Sequence, residues 1–113
     1  MDLQKLNLEV DTFVEERKWE KFHITKNLVM ALSGEVGELN ECFQWLSNKE
    51  INEIKSTPEK LVAIEHEIAD VFIYVVRIAN KMGIDVENAV YKKMELNRLK
   101  YPIEKNQGVV NKI

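Results

Sequence analysis

Apolar residues recur at intervals of three and four along nearly every long stretch of this chain, the spacing that gathers side chains onto one face of an α-helix. Leu3, Leu6, Val10 and Phe13 make one such stripe. Leu28, Leu32, Val36, Leu39, Phe43 and Leu46 make a second, and Leu61, Ile64, Ile68, Val71, Val75, Ile78 and Met82 a third. Four glycines and two prolines are all that punctuate the chain, so little interrupts these stripes. The pattern predicts an all-α protein, a four-helix bundle built from helices over residues 2–21, 26–46, 58–82 and 86–101. Thr57 and Pro58 read as an N-cap followed by proline at the first helical position, Gly83 as a left-handed C-terminal cap, and Asp85 as the cap of the last long helix. The stretch 47–56 is polar and weakly periodic. Residues 103–113 have no periodicity and read as an irregular tail, a mobile or partner-draped arm behind a helical domain over 1–102.

The third stripe also bears on assembly. Between residues 68 and 79 apolar side chains cover most of the helix circumference, more than a single neighbouring layer can bury. A self-associating chain, a homodimer or homotetramer, is the expectation. The same run is broken by Asp70 and Arg77 and falls short of the roughly 20 residues that cross a bilayer, so no membrane partner is expected. Sixteen Lys+Arg against nineteen Asp+Glu give a net charge of −3, which supplies no basic field for a nucleic-acid polymer. One cysteine, Cys42, cannot close an intramolecular disulfide, and the first residues lack the pattern of a secretory signal; a cytoplasmic setting is expected.

Chemistry is concentrated in four acids. Glu35 and Glu38 lie three apart on the second stripe's helix, and Glu67 and Asp70 three apart on the third's. Each pair therefore shares a face, at roughly 5–6 Å between Cβ atoms. Both pairs sit one position before inward-facing residues, so packing of the two helices would bring them together. Four carboxylates in one partly dry site repel each other unless protons or a cation neutralise them, and an all-oxygen donor set suits Mg²⁺, with Mn²⁺ possible. The plainer alternative is that Glu67, Asp70, Tyr74, Arg77 and Lys81 form only the solvated strip of a helix. Gly34 and Gly37 weigh against that. Each costs a helix interior roughly 1 kcal/mol relative to alanine, and the small residues let a backbone or a ligand come close to the first acid pair. Glu20 and His23 form a Glu-x-x-His pattern of the di-iron carboxylate kind, but the chain holds no second copy of it.

The segment 31–39, Ala-Leu-Ser-Gly-Glu-Val-Gly-Glu-Leu, followed by Glu67-Ile68-Ala69-Asp70-Val71-Phe72-Ile73-Tyr74, resembles the paired Glu-x-x-Glu and Glu-x-x-Asp motif of the MazG-like all-α nucleoside triphosphate pyrophosphohydrolases. The stretches 17–23, 43–45 and 93–102 are similar to the corresponding stretches of the dCTP pyrophosphatase branch. The resemblance implies Mg²⁺-dependent hydrolysis of a nucleoside triphosphate to the monophosphate and pyrophosphate, on dCTP or a related, modified pyrimidine deoxynucleotide. It implies Glu35, Glu38, Glu67 and Asp70 as metal ligands, with Glu38 also activating water. It places Lys93, Asn97 and Arg98 near the triphosphate, where the alternative is basic charge opposing a helix dipole. Trp19, Trp45 and Tyr74 resemble the aromatic walls of the base pocket; stacking gives affinity without choosing the base. One position departs from the pattern: Val10 stands where dCTP-preferring relatives often carry a polar or histidine side chain. The competing expectation is a non-catalytic helical oligomerisation module, motivated by the apolar girth of the third stripe.

Overall fold

A computed structural model describes residues 1–108. They fold into six α-helices and one 3-10 turn, with no strand among them: α1 (Leu3–Glu16), the turn Glu20–Phe22, α2 (Thr25–Glu41), α3 (Asn48–Ile54), α4 (Pro58–Lys81), α5 (Val86–Lys100) and α6 (Ile103–Asn106). Among the described residues no helix is long and apolar enough to cross a membrane.

The chain divides into two compact units, Met1–Met82 and the part from Gly83 onward. In the first, α4 is the common partner: α2 packs along it most extensively, and α1 and α3 also lie against it. The core is assembled from all four helices, with Val14, Leu28, Ile54, Ile64, Val76 and Ala79 buried. Burial picks only part of the predicted stripes. Val36, Leu61, Ile68 and Phe72 remain exposed, at 47%, 44%, 54% and 40%.

Local chemistry accounts for where the helices start and stop. Asp2 caps α1 by accepting from the Lys5 amide. The helix ends five residues earlier than its stripe suggests, because Lys18 turns left-handed at φ 55°. The Trp19 amide then donates to the Val14 carbonyl and the Lys18 amide to that of Glu15, both at 3.0 Å, which is the Schellman pattern. That reversal delivers Trp19 back against α1, where its ring meets Phe13 edge-to-face at 5.8 Å.

α2 likewise stops at Glu41, short of the expected 46, and passes into tight turns through Cys42–Leu46. The polar stretch after it is a helix, α3, set by a capping box in which Ser47 accepts from the Glu50 amide and Glu50 from that of Ser47. α4 begins at Pro58 and ends at Lys81, two residues before Gly83, whose φ of +66° is the left-handed turn the sequence suggests.

In the second unit Asp85 caps α5 by accepting from the Asn88 amide. Four residues of the stretch expected to be irregular form α6. The remainder of that stretch, 109–113, lies outside the described residues.

Candidate functional site

Two helices carry the acids, and their packing brings three of the four together. Glu35 and Glu38 on α2 and Glu67 on α4 each place a carboxylate oxygen within 4.8 Å of the other two. Asp70 stands alongside: its charge acts on Glu35 and on Glu67. Glu38 acts on both Glu35 and Glu67.

The electrostatics are those of an uncompensated cluster. The Glu35 carboxyl is pushed above its usual value of 4.5, first by desolvation, then by its hydrogen bond to Glu38 and the negative charges of Glu38, Asp70 and Glu67. Glu67 is raised in the same way, by desolvation, then by Glu38 and Asp70, with His66 opposing weakly. One oxygen of each, Oε2, is buried with no hydrogen-bond partner. Buried acceptors without donors mark a place where something else binds. Only carboxylate oxygens are offered, a donor set that fits a hard divalent cation. A Cβ built on Gly34 or Gly37 would meet nothing within 4 Å among the described residues, so packing among those residues does not account for either glycine.

Beside the acids lies a cavity of about 390 Å³ between α1, the 3-10 turn and α4. Asp70 and Tyr74 form its wall towards the cluster, and Phe13, Trp19, Val10 and Ile73 make its aromatic and apolar sides. The Tyr74 phenol is raised above its usual value by burial and then by the charges of Glu35 and Asp70, so it borders both the cavity and the acids. Trp19 and Tyr74 thus share one cavity. Trp45 does not line it and is 85% exposed. Lys93, Asn97 and Arg98 belong to the second unit, together on α5; the Asn97 amide donates to the Met94 sulfur at 3.8 Å.

Two residues of the cavity wall stand in a setting that the sequence did not suggest for them. Arg77, counted there in a possible solvated strip, is 4% exposed and ion-paired with Asp11 of α1, with its Nε atom left without a partner. His23 also lines the cavity; burial, then Arg77 and Lys81, lower its pKa. The available signal was a charge placed seven residues after Asp70 within an apolar run, since i and i+7 share a helix face.

A second cavity, about 370 Å³, lies where α2 ends and α3 and α4 begin; Cys42, Leu46, Ile54 and Ile64 are among its walls. It holds none of the four acids.

The MazG-like family matches residues 30–113 of the chain. Among curated proteins, dCTP pyrophosphatase 1 of Rattus norvegicus is 42% identical over 107 residues, which are 95% of this chain and 61% of that protein. The Homo sapiens dCTP pyrophosphatase 1 is 43% identical over 101 residues, 89% of this chain and 58% of that one. The chain thus spans about three-fifths of the length of these relatives. Among solved structures, a pyrophosphatase from Archaeoglobus fulgidus superposes with a TM-score of 0.79 at 36% identity, covering 90% of this chain and 94% of its own.

Proposed function

The chain belongs to the MazG-like family, and from that premise we propose that it is a Mg²⁺-dependent nucleoside triphosphate pyrophosphohydrolase, with residues 1–102 as its functional domain and dCTP or a related, modified pyrimidine deoxynucleotide as substrate. One observation carries this reading: three carboxylates converge within 4.8 Å, and Asp70 and Tyr74 join them to an aromatic-walled cavity. A site for a cation and a site for a flat ring are thereby adjacent.

Glu35, Glu38, Glu67 and Asp70 would hold Mg²⁺, or Mn²⁺ in its place. When bound, the cation would bridge the anionic triphosphate to these acids and polarise the phosphoryl oxygens under attack. Glu38 is exposed, and a carboxylate oxygen of it lies within 4.8 Å of one of Glu35 and one of Glu67. That position suits it to orient a water towards the α-phosphorus and to accept its proton, releasing the monophosphate and pyrophosphate. Lys93, Asn97 and Arg98 would neutralise and hold the phosphates; Trp19, Tyr74 and Trp45 would stack on the base.

The bundle of four long helices and its assembly as a homodimer or homotetramer belong to the same proposal. Exposed Val36, Ile68 and Phe72 on α2 and α4, and the open space beside Gly34 and Gly37, support a second copy there. A cytoplasmic setting, where a free thiol such as Cys42 stays reduced, accords with it. The exposed apolar residues also favour a second reading, a helical interaction module without activity.

Incubation with Mg²⁺ and a panel of canonical and modified nucleotides separates the two. Monophosphate plus pyrophosphate from pyrimidine triphosphates, abolished by chelator, is the expected result. Diphosphate plus phosphate would overturn the reaction, and no turnover with any nucleotide would leave the interaction module.

A further inference from the structure

We infer that Arg77, held by Asp11, selects the base by donating hydrogen bonds to its acceptor edge; the inference rests on the proposed reaction and deepens it. Arg77 lines the cavity at 4% exposure, and its ion pair with Asp11 engages one terminal nitrogen. A guanidinium carries five donors in a rigid fork. Its Nε has no partner, and His23 on the same wall has an unpartnered buried Nδ1. Unmatched polar atoms in the wall of a roomy cavity point to a polar occupant, because leaving them unpaired costs free energy.

Position decides which part of a nucleotide that occupant is. Arg77 follows Asp70 by seven residues on α4, about 10.5 Å along the helix axis. Tyr74 lies between them. With the phosphates at the acids, the nucleotide's other end lies towards Arg77. The walls there are Val10, Phe13, Trp19 and Ile73, which suit a flat ring and not a polyanion. Val10 offers no polar atom, so contact with the ring's edge falls to the charged and polar residues that remain.

Cytosine presents two adjacent acceptors, O2 and N3, to a pair of parallel N–H donors. Uracil and thymine present N3–H, which opposes a donor. A bidentate arginine contact of this kind discriminates between bases by about 1–3 kcal/mol, roughly five- to 150-fold. Asp11 is a positioning residue: it fixes the plane of the guanidinium and does not itself reach the base.

The test compares kcat/KM for dCTP and dUTP in the wild type, Arg77→Met and Asp11→Asn, with melting curves for each. Arg77→Met should lower dCTP turnover at least about tenfold while dUTP changes less than about threefold. Asp11→Asn should narrow the same ratio, whereas a purely structural role would lower the melting temperature and slow both substrates equally. Equal losses on both bases, the outcome of a phosphate contact or a packing role, would overturn the inference.

Asp11 is 39% exposed and can be rehydrated when its partner is removed, which favours folding of Arg77→Met. If that variant melts below assay temperature, Asp11→Asn decides by the same ratio. Metal-free binding of deoxycytidine against deoxyuridine, read from tryptophan fluorescence, keeps this inference separate from the reaction. A wild type without turnover that still prefers deoxycytidine, with the preference lost in Arg77→Met, would sink the pyrophosphohydrolase and sustain Arg77. Loss of the tighter deoxycytidine binding in neither variant would sink Arg77 whatever the turnover.

Discussion

Glu35→Gln should make the metal-free protein more stable and the Mg²⁺-saturated protein less so. Glu35 has two carboxylate neighbours, Glu38 and Glu67, with oxygens within 4.8 Å. Two unit charges at that separation repel by about 0.9 kcal/mol in bulk water and about 3.5 kcal/mol at an effective dielectric constant of 20. The cluster is open to solvent at Glu38, which favours the lower figure. A net stabilisation of about 1 kcal/mol remains, roughly 4 °C for a domain of this size. Mg²⁺ acts oppositely: at a hundredfold excess over its dissociation constant it stabilises the wild type by about 2.7 kcal/mol. Calorimetric melting in chelator and in saturating Mg²⁺ should therefore show the two proteins exchanging rank, with hydrolysis lost in the variant. If Glu35→Gln melts below the wild type in chelator, or keeps the full Mg²⁺ response, the cluster is not a strained metal site and the argument fails.

The same raised carboxyls set a pH dependence. Their folded pKa values exceed the usual 4.5, so the folded state binds more protons than the unfolded chain through the window above 4.5. The cluster's contribution to stability is then largest at or below the ordinary value and falls as pH rises through the shifted ones. Melting temperatures in chelator should show this decline, and Glu35→Gln should flatten it; an unchanged slope in the variant would contradict the assignment. Lys18→Gly should stabilise the protein by about 1 kcal/mol in urea denaturation, since glycine adopts the left-handed turn at φ 55° without the penalty a side chain incurs. A lower urea midpoint would mean that the Lys18 side chain contributes more than its backbone costs.

The ends of α4 and α5 were legible because their signals are local: Pro58 at a first helical turn, Gly83 in a left-handed cap, Asp85 accepting from Asn88. The end of α1 was not. A lysine at the reversal looks like any helix-compatible residue, and only the hydrogen bonds to Val14 and Glu15 reveal it. α3 is a case between. Seven residues are too few for periodicity to register, yet Ser47-Asn48-Lys49-Glu50 spells the capping box that sets it. In the site, i,i+3 spacing was enough to place each acid pair on a face, and helix packing then brought Glu35 and Glu38 to Glu67. Arg77 was illegible for the opposite reason. Its burial depends on Asp11, 66 residues away in sequence, and its seven-residue spacing from Asp70 marks a shared face without separating a buried arginine from one on a solvated strip.

The third apolar stripe hid a division of labour within α4. Ile64, Val76 and Ala79 enter the core, Ile68 and Phe72 stay in water, and Glu67, Asp70, Tyr74 and Arg77 follow one another at three, four and three residues along the remaining face. That last series changes character along its length. At the Arg77 end the surroundings are buried and aromatic; at the Glu67 end Glu38 is exposed and space is open beside Gly34 and Gly37. A cation among carboxylates is held more firmly, and polarises a phosphate more strongly, where water is excluded. On the proposed reading a second copy of the chain would close the open end. Ile68 and Phe72, one and two residues beyond Glu67 and Asp70, are the exposed large apolar groups nearest in sequence to the α4 acids. A second copy seated on them would dry the acid end while burying the surface that a lone chain leaves in water, so self-association and catalysis would draw on the same helix.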